Sequence, residues 1–193
     1  MAVSSGKRLT RAFFARHSSV VAPDLLGKIL VVGPCTGRIT EVEAYGGSDD
    51  AASHAARGQT PRNAVMFGPA GVLYVYFTYG MHHCANIVTG PVGDAQAVLL
   101  RGIEPLEGLD EMRTRRPKAR RVRDLANGPG KLCAAFDLDL RHNGLDLAKV
   151  DAGVYDDGGA SASIVVTPRV GISKAVDLPW RWLATGRAIV VHR

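Results

Sequence analysis

The run Val72 to Tyr79 (Val-Leu-Tyr-Val-Tyr-Phe-Thr-Tyr) narrows what this chain can fold into more than any other segment. β-Branched and aromatic side chains fit a pleated, half-buried surface, so the run predicts a strand. Gly80 breaks it, and the extended pattern resumes from Cys84 to Thr89. Together the two segments predict a β-hairpin with Tyr79, Gly80 and Met81 at its tip. By alternation Tyr74 and Tyr76 share one face, and that face could be core.

Other strands follow from the same reasoning. Ile29 to Val32 is β-branched and apolar, and ends at Gly33-Pro34. Arg38 to Tyr45 alternates polar with apolar residues. There Glu41, Glu43 and Tyr45 share a face, whereas Ile39, Val42 and Ala44 do not all fall opposite. Ala97 to Arg101, Ser163 to Thr167 and Ala188 to Val191 complete the strand set, with Pro179 to Trp182 as a connection. Residues 9–30 begin as a helix. Leu106 to Arg115 has helical spacing, with Leu106, Leu109 and Met112 on one side. Pro129 to Phe136 starts a helix after Gly128, with Pro129 near the first helical position. Residues 46–64 predict a loop with a short helical piece from Ala51 to Arg57. There is no internal repeat, no βαβ alternation and no GxGxxG. The expected fold is mixed α/β (α+β): one compact domain over residues 1–193, with a curved, mainly antiparallel sheet, a projecting hairpin and helices packed around it.

The chain has 193 residues, 46% of them apolar, which suffices for one core. No apolar run approaches the roughly 18–20 residues of a membrane-spanning helix. Met1 to Lys7 lacks the apolar stretch of a secretory signal. Cys35, Cys84 and Cys133 are odd in number, far apart and without a CxxC pair, which predicts intracellular thiols rather than disulfides or a zinc knuckle. The net charge of +6 suits a polyanionic partner, as it suits many basic proteins without one. Arg113 to Arg123 concentrates that charge, and residues 113–127 are expected to form a flexible basic loop, solvated or facing phosphates. Glu41, Glu43, Asp49, Asp50, His54, His82 and His83 show no HExxH or comparable spacing, so neither metal nor cofactor is expected.

Three ordered segments resemble the alkyladenine (3-methyladenine) DNA glycosylase family. They are Glu43-Ala44-Tyr45 with Asp49-Asp50 and His54; Thr60-Pro61-Arg62-Asn63 with Met66-Phe67; and Leu73 to Tyr76 with Tyr79-Gly80-Met81, Asn86 and Leu99-Leu100-Arg101. Weaker echoes follow at Glu104 to Gly108, Gly128 to Leu132 and Arg169-Val170-Gly171. The sequence departs from the family at Val42, His83 and Ala85, which bears on one pocket wall and so on substrate range.

The resemblance implies a monofunctional glycosylase acting on double-stranded DNA that contains damaged purines. It would act as an intracellular monomer and leave an abasic site. It implies Glu43 as general base, with Arg101 and the backbone carbonyl of Val170 holding the water. Tyr45, His54, Tyr76, Asn86 and Ala52 would form the base pocket, and Tyr79 with Met81 would fill the gap left in the duplex. Arg62 and Lys131 are candidate phosphate or structural contacts. Without the resemblance, Tyr79 reads better as a strand-end tyrosine packed on the core, and Glu41, expected to be exposed, cannot be told from Glu43. A catalytically silent nucleic-acid-binding module would share the charge and the tyrosines; only the carboxylate separates the two readings.

Overall fold

The computed structural model describes residues 6–149, 152–159 and 163–185. The main path of the sheet runs β1 (Lys7–Arg8), β7 (Ala152–Asp156), β2 (Ile29–Val32), β3 (Cys35–Tyr45), β6 (Gln96–Glu107), β5 (His82–Thr89) and β4 (Leu73–Thr78). β9 (Arg181–Thr185) pairs with β3 and carries β8 (Ser163–Thr167). All these pairings are antiparallel and the sheet is not closed, giving the expected α+β architecture.

The eleven residues of β3 join the parts. Its first half pairs with β2 and residues 41–43 pair with β9, while β6 follows it from Thr36 to Tyr45. Residues 41–43 therefore lie between two partner strands. The β3–β6 register slips on both sides of Glu41. Such a bulge adds a residue and resets which face the following side chains take. This corrects the simple alternation: Ile39, Val42 and Ala44 all enter the same core cluster.

The sheet has two differently used faces. Leu73 and Val75, Ala85 and Ile87, and Val98 and Leu100 enter the main core with Phe14 of α1 (Arg11–Phe14), Val21, Ala22 and Leu25 of α2 (Ser18–Leu25) and Leu132, Cys133 and Phe136 of α4 (Pro129–Phe136). Successive strand residues point to opposite faces. Their alternates, Tyr74, Tyr76, Cys84, Asn86, Leu99 and Arg101, line a cavity on the other side.

α4 begins where the sequence predicts, after Gly128 with Pro129 in its first turn, where a missing N–H costs nothing. Leu106 belongs to β6 instead of a helix, because β6 stays paired to β3 as far as Glu107; α3 (Leu109–Arg115) starts after Gly108. Pro179 to Trp182 is not merely a connection, since Arg181 and Trp182 open β9. β1 and β7 are further strands, short ones. Ala51 to Arg57 forms turns, not a helix: the side chains of Asp50 and Ser53 accept the amide N–H groups of Ala52 and Ala55, competing with helical bonds. The expected strand Ala188 to Val191 lies outside the described residues.

Within residues 113–127, Arg113 and Arg115 close α3 and Val122–Asp124 forms a 3-10 turn. Arg113 pairs with Asp110, Arg121 pairs with Asp124, and Arg115 donates to the Ala135 carbonyl. The three cysteines are free and buried. Among the described residues no helix is long and apolar enough to cross a membrane.

Candidate active site

The cavity on the pocket face holds about 480 Å³, within the roughly 300–1,000 Å³ of small-ligand pockets. β4, β5 and β6 supply one wall, and Tyr45 comes from the end of β3. Ala51, Ala52 and His54 after β3 and the segment Val170 to Lys174 close much of the rest, with Met66 and Pro129.

One side is aromatic. The His54 and Tyr76 rings lie 4.5 Å apart at 65°, and Tyr74 lies 5.4 Å from Tyr76. His54 Nδ1 is 2.9 Å from the Tyr74 hydroxyl. The Arg62 guanidinium lies over the Tyr76 ring, 5.3 Å from its centre, and donates to the Phe77 carbonyl at 3.1 Å. Burial, and then the Arg62 charge, hold His54 below its ordinary pKa, so the neutral imidazole is favoured. Burial raises the Tyr76 hydroxyl; it also raises Tyr45, where the charge of Glu43 adds to the effect.

Glu43 is fully buried beside Tyr45. Its Oε1 accepts the Val170 N–H at 2.8 Å, and its Oε2 accepts the Tyr45 hydroxyl at 3.0 Å. Arg101 Nη1 stands 3.4 Å from Oε2, longer than the roughly 2.7–2.9 Å of a strong charged hydrogen bond. Val170 thus meets Glu43 through its amide N–H.

Glu41 lies on the face of Glu43, as alternation suggests, but it is not the exposed carboxylate expected. Its Oε1 accepts Arg101 Nε at 2.9 Å and Arg181 Nε at 2.7 Å, and its side chain is 21% exposed. Burial works against the Arg101 charge, yet Glu43 and Glu41 together raise its pKa above the ordinary arginine value.

A second ionic cluster was not assigned a role from sequence. Asp50 and Arg169 form a salt bridge with side chains 1% and 0% exposed. Asp50 also accepts the amide N–H groups of Gly46 and Ala52 at 3.1 and 3.0 Å. Burial alone would raise the Asp50 pKa, but the hydrogen bonds from Arg169 and these amides outweigh it and lower it. Arg169 donates to the Ala44 carbonyl at 3.0 Å, and its guanidinium lies 4.8 Å from the Tyr45 ring centre. It therefore braces Tyr45 and fixes the start of the segment that walls the cavity. Both residues stand in the quoted motifs, but a contact between positions 119 apart leaves no local pattern.

At the hairpin tip Tyr79 and Gly80 both have left-handed backbones, with φ of 50° and 67°. The Met81 N–H closes the turn on the Thr78 carbonyl at 3.3 Å. Tyr79 is 83% exposed and Met81 70%. This corrects the reading of Tyr79 as a core residue. Asn86 is buried in the cavity wall and donates to the Tyr74 carbonyl at 3.0 Å. Ala52 is in the wall, whereas Lys131 lies on the exposed side of α4, 2.9 Å from Asn127 Oδ1.

The family profile described as methylpurine-DNA glycosylase matches residues 12–188. Among curated relatives, a protein of Burkholderia lata is 51% identical over 189 residues, covering 96% of this chain and 91% of its own length. One from Streptomyces avermitilis is 54% identical over 195 residues, covering 96% and 92%. One from Rhodopseudomonas palustris is 50% identical over 191 residues, covering 98% and 93%. All three are provisionally named 3-methyladenine DNA glycosylases. With that extent of similarity, the chain belongs to the methylpurine-DNA glycosylase family and is a DNA glycosylase of base excision repair, a hydrolase of N-glycosyl bonds.

Proposed function

We propose that the cavity receives a damaged purine swung out of duplex DNA, and that water activated by Glu43 cleaves its bond to C1′. The observation that carries this reading is one fully buried carboxylate, oriented by Tyr45 and Val170, at the side of a tyrosine-lined cavity.

Taking a base out of the stack costs a few kcal/mol. Tyr79, with Met81 beside it, stands clear of the surface at the hairpin tip and has the shape to occupy the vacated gap. Tyr45, Tyr76 and His54 supply flat faces for the extruded base, with Ala52 leaving room between them; stacking contributes about 1–3 kcal/mol per base. A cationic alkylated purine gains further from the π faces. Asn86 faces the base edge and disfavours a guanine amino group that would be buried without a good partner.

The water oxygen adds to C1′ as the C1′–N bond breaks, and its proton passes to Glu43. The bond's electron pair leaves with the purine, where it neutralises an alkylated cation; a neutral deaminated purine leaves as an anion and takes a proton from solvent. The carboxylate also stabilises the positive sugar that develops on the way. Arg101 and the Val170 carbonyl hold the water. The substrate class is alkylated or deaminated purines, of which the relatives' names carry the alkylated 3-methyladenine, and the enzyme acts as a monomer. Arg62 supports Tyr76, and Lys131 is left to contact phosphate.

Glu43→Gln tests this directly. It keeps shape and removes both charge and proton acceptance, so base release from a lesion duplex should fall about 10²–10⁴-fold. Lesion binding should persist. A folded variant releasing base at near wild-type rate would overturn the assignment of the base.

A further inference from the structure

We propose that Glu41 is a positioning residue for this reaction: it holds the Arg101 guanidinium away from Glu43, so that Glu43 keeps an oxygen able to accept a proton from water. The inference rests on Glu43 being the base.

Arg101 sits between two carboxylates. Its Nε bond to Glu41 is 2.9 Å, while Nη1 is 3.4 Å from Glu43. A guanidinium beside a lone carboxylate favours two short parallel bonds. Here the Nε is already committed to Glu41, and the approach to Glu43 stays long. Glu41 is itself fixed. Arg181 Nε donates to the same oxygen at 2.7 Å, and Arg181 Nη1 reaches Thr167 Oγ1 at 3.3 Å. The register slips on both sides of Glu41 are local to this residue. β3, β6, β8 and β9 all contribute to holding one arginine at one distance.

Remove the Glu41 charge and Arg101 has a single carboxylate left to satisfy it. Its fork turns fully onto Glu43 and occupies the lone pair that water needs. Glu43 remains buried, but saturated. The alternative is that Glu41 only ties the strands together.

The test is single-turnover base release and lesion-duplex affinity for Glu41→Gln, Arg101→Gln and the double variant. Glu41→Gln should slow release by up to about a hundredfold, the scale of an ångström-level misplacement, with affinity unchanged. The double variant should be no slower than Arg101→Gln alone, because Glu41 acts through that arginine. Glu41→Asp, which keeps the charge but withdraws it by one methylene, should recover part of the rate and serves if Glu41→Gln does not fold. A purely structural role would lower melting temperature and affinity together and give losses that multiply in the double variant; that result, or release within twofold of wild type, would overturn the proposal. If Glu43→Gln is inactive while Glu41→Gln is not impaired, this inference alone fails. If Glu43→Gln is active, the reading beneath it fails.

Discussion

Glu43 and Asp50 are both buried acids flanking Tyr45, and they are satisfied in different ways. Asp50 takes four donors, two from Arg169 and one each from the amides of Gly46 and Ala52, which uses the full acceptor capacity of a carboxylate. Glu43 takes two, from Tyr45 and Val170, with an arginine kept at 3.4 Å. Burial is common to both; the difference is remaining capacity. A saturated carboxylate fastens chain to chain, whereas one with an acceptor position to spare can still take a proton. Separating structural from chemical acids in this fold therefore means counting donors.

The sharpest contrast lies in paired substitutions. Glu43→Gln should lose activity by the 10²–10⁴-fold given above with little change in unfolding midpoint. Asp50→Asn should do the reverse in kind: it strands a buried arginine and should cost about 3–5 kcal/mol of stability, read as a lower urea midpoint. If Asp50→Asn left the midpoint unchanged, the saturated pair would not be a fastening at all. A smaller effect is expected at the tip. Tyr79→Ala should slow release from a lesion duplex by about tenfold or more while sparing a lesion in single-stranded DNA, where less stacking must be broken. Equal losses on both substrates would remove the wedge role. Smallest of all, Lys131→Ala should leave single-turnover release unchanged and reduce the slope of log affinity against log salt by about one, if this lysine meets a phosphate. An unchanged slope would leave it a partner of Asn127 alone.

What sequence could show followed the range of the interaction. The β4–β5 hairpin, the core strand of β6 and α4 were legible because their signals are local: side-chain alternation, a glycine at a tip, a proline in a first turn. The bulge at Glu41 was not, since it arises from pairing with a strand sixty residues away, and it alone brings Ile39 into line with Val42 and Ala44. Arg181 and Trp182 carry no strand signal within the run Pro179 to Trp182; they become strand only through pairing with β3 and β8. For the site, the resemblance implies Glu43 and the tyrosines; Tyr45, Tyr76 and Tyr79 line the cavity, and Glu43 is bonded to Tyr45 and Val170 of that lining. Asp50–Arg169 and Glu41–Arg101–Arg181 could not be read from spacing, because ion pairs between distant strands have no period.

The left-handed backbone of Tyr79 has a thermodynamic meaning of its own. A side chain with a Cβ loses roughly 1–2 kcal/mol in that conformation, a cost that glycine or asparagine would largely avoid. The free protein would be more stable with either residue at the tip, yet neither could fill a gap in stacked DNA. The hairpin thus holds a small instability in the unbound enzyme, set at the residue proposed to enter the duplex. Selection for thermal robustness alone would tend to erode this position, and a stabilised variant obtained that way should be tested for loss of duplex activity before it is taken as an improvement.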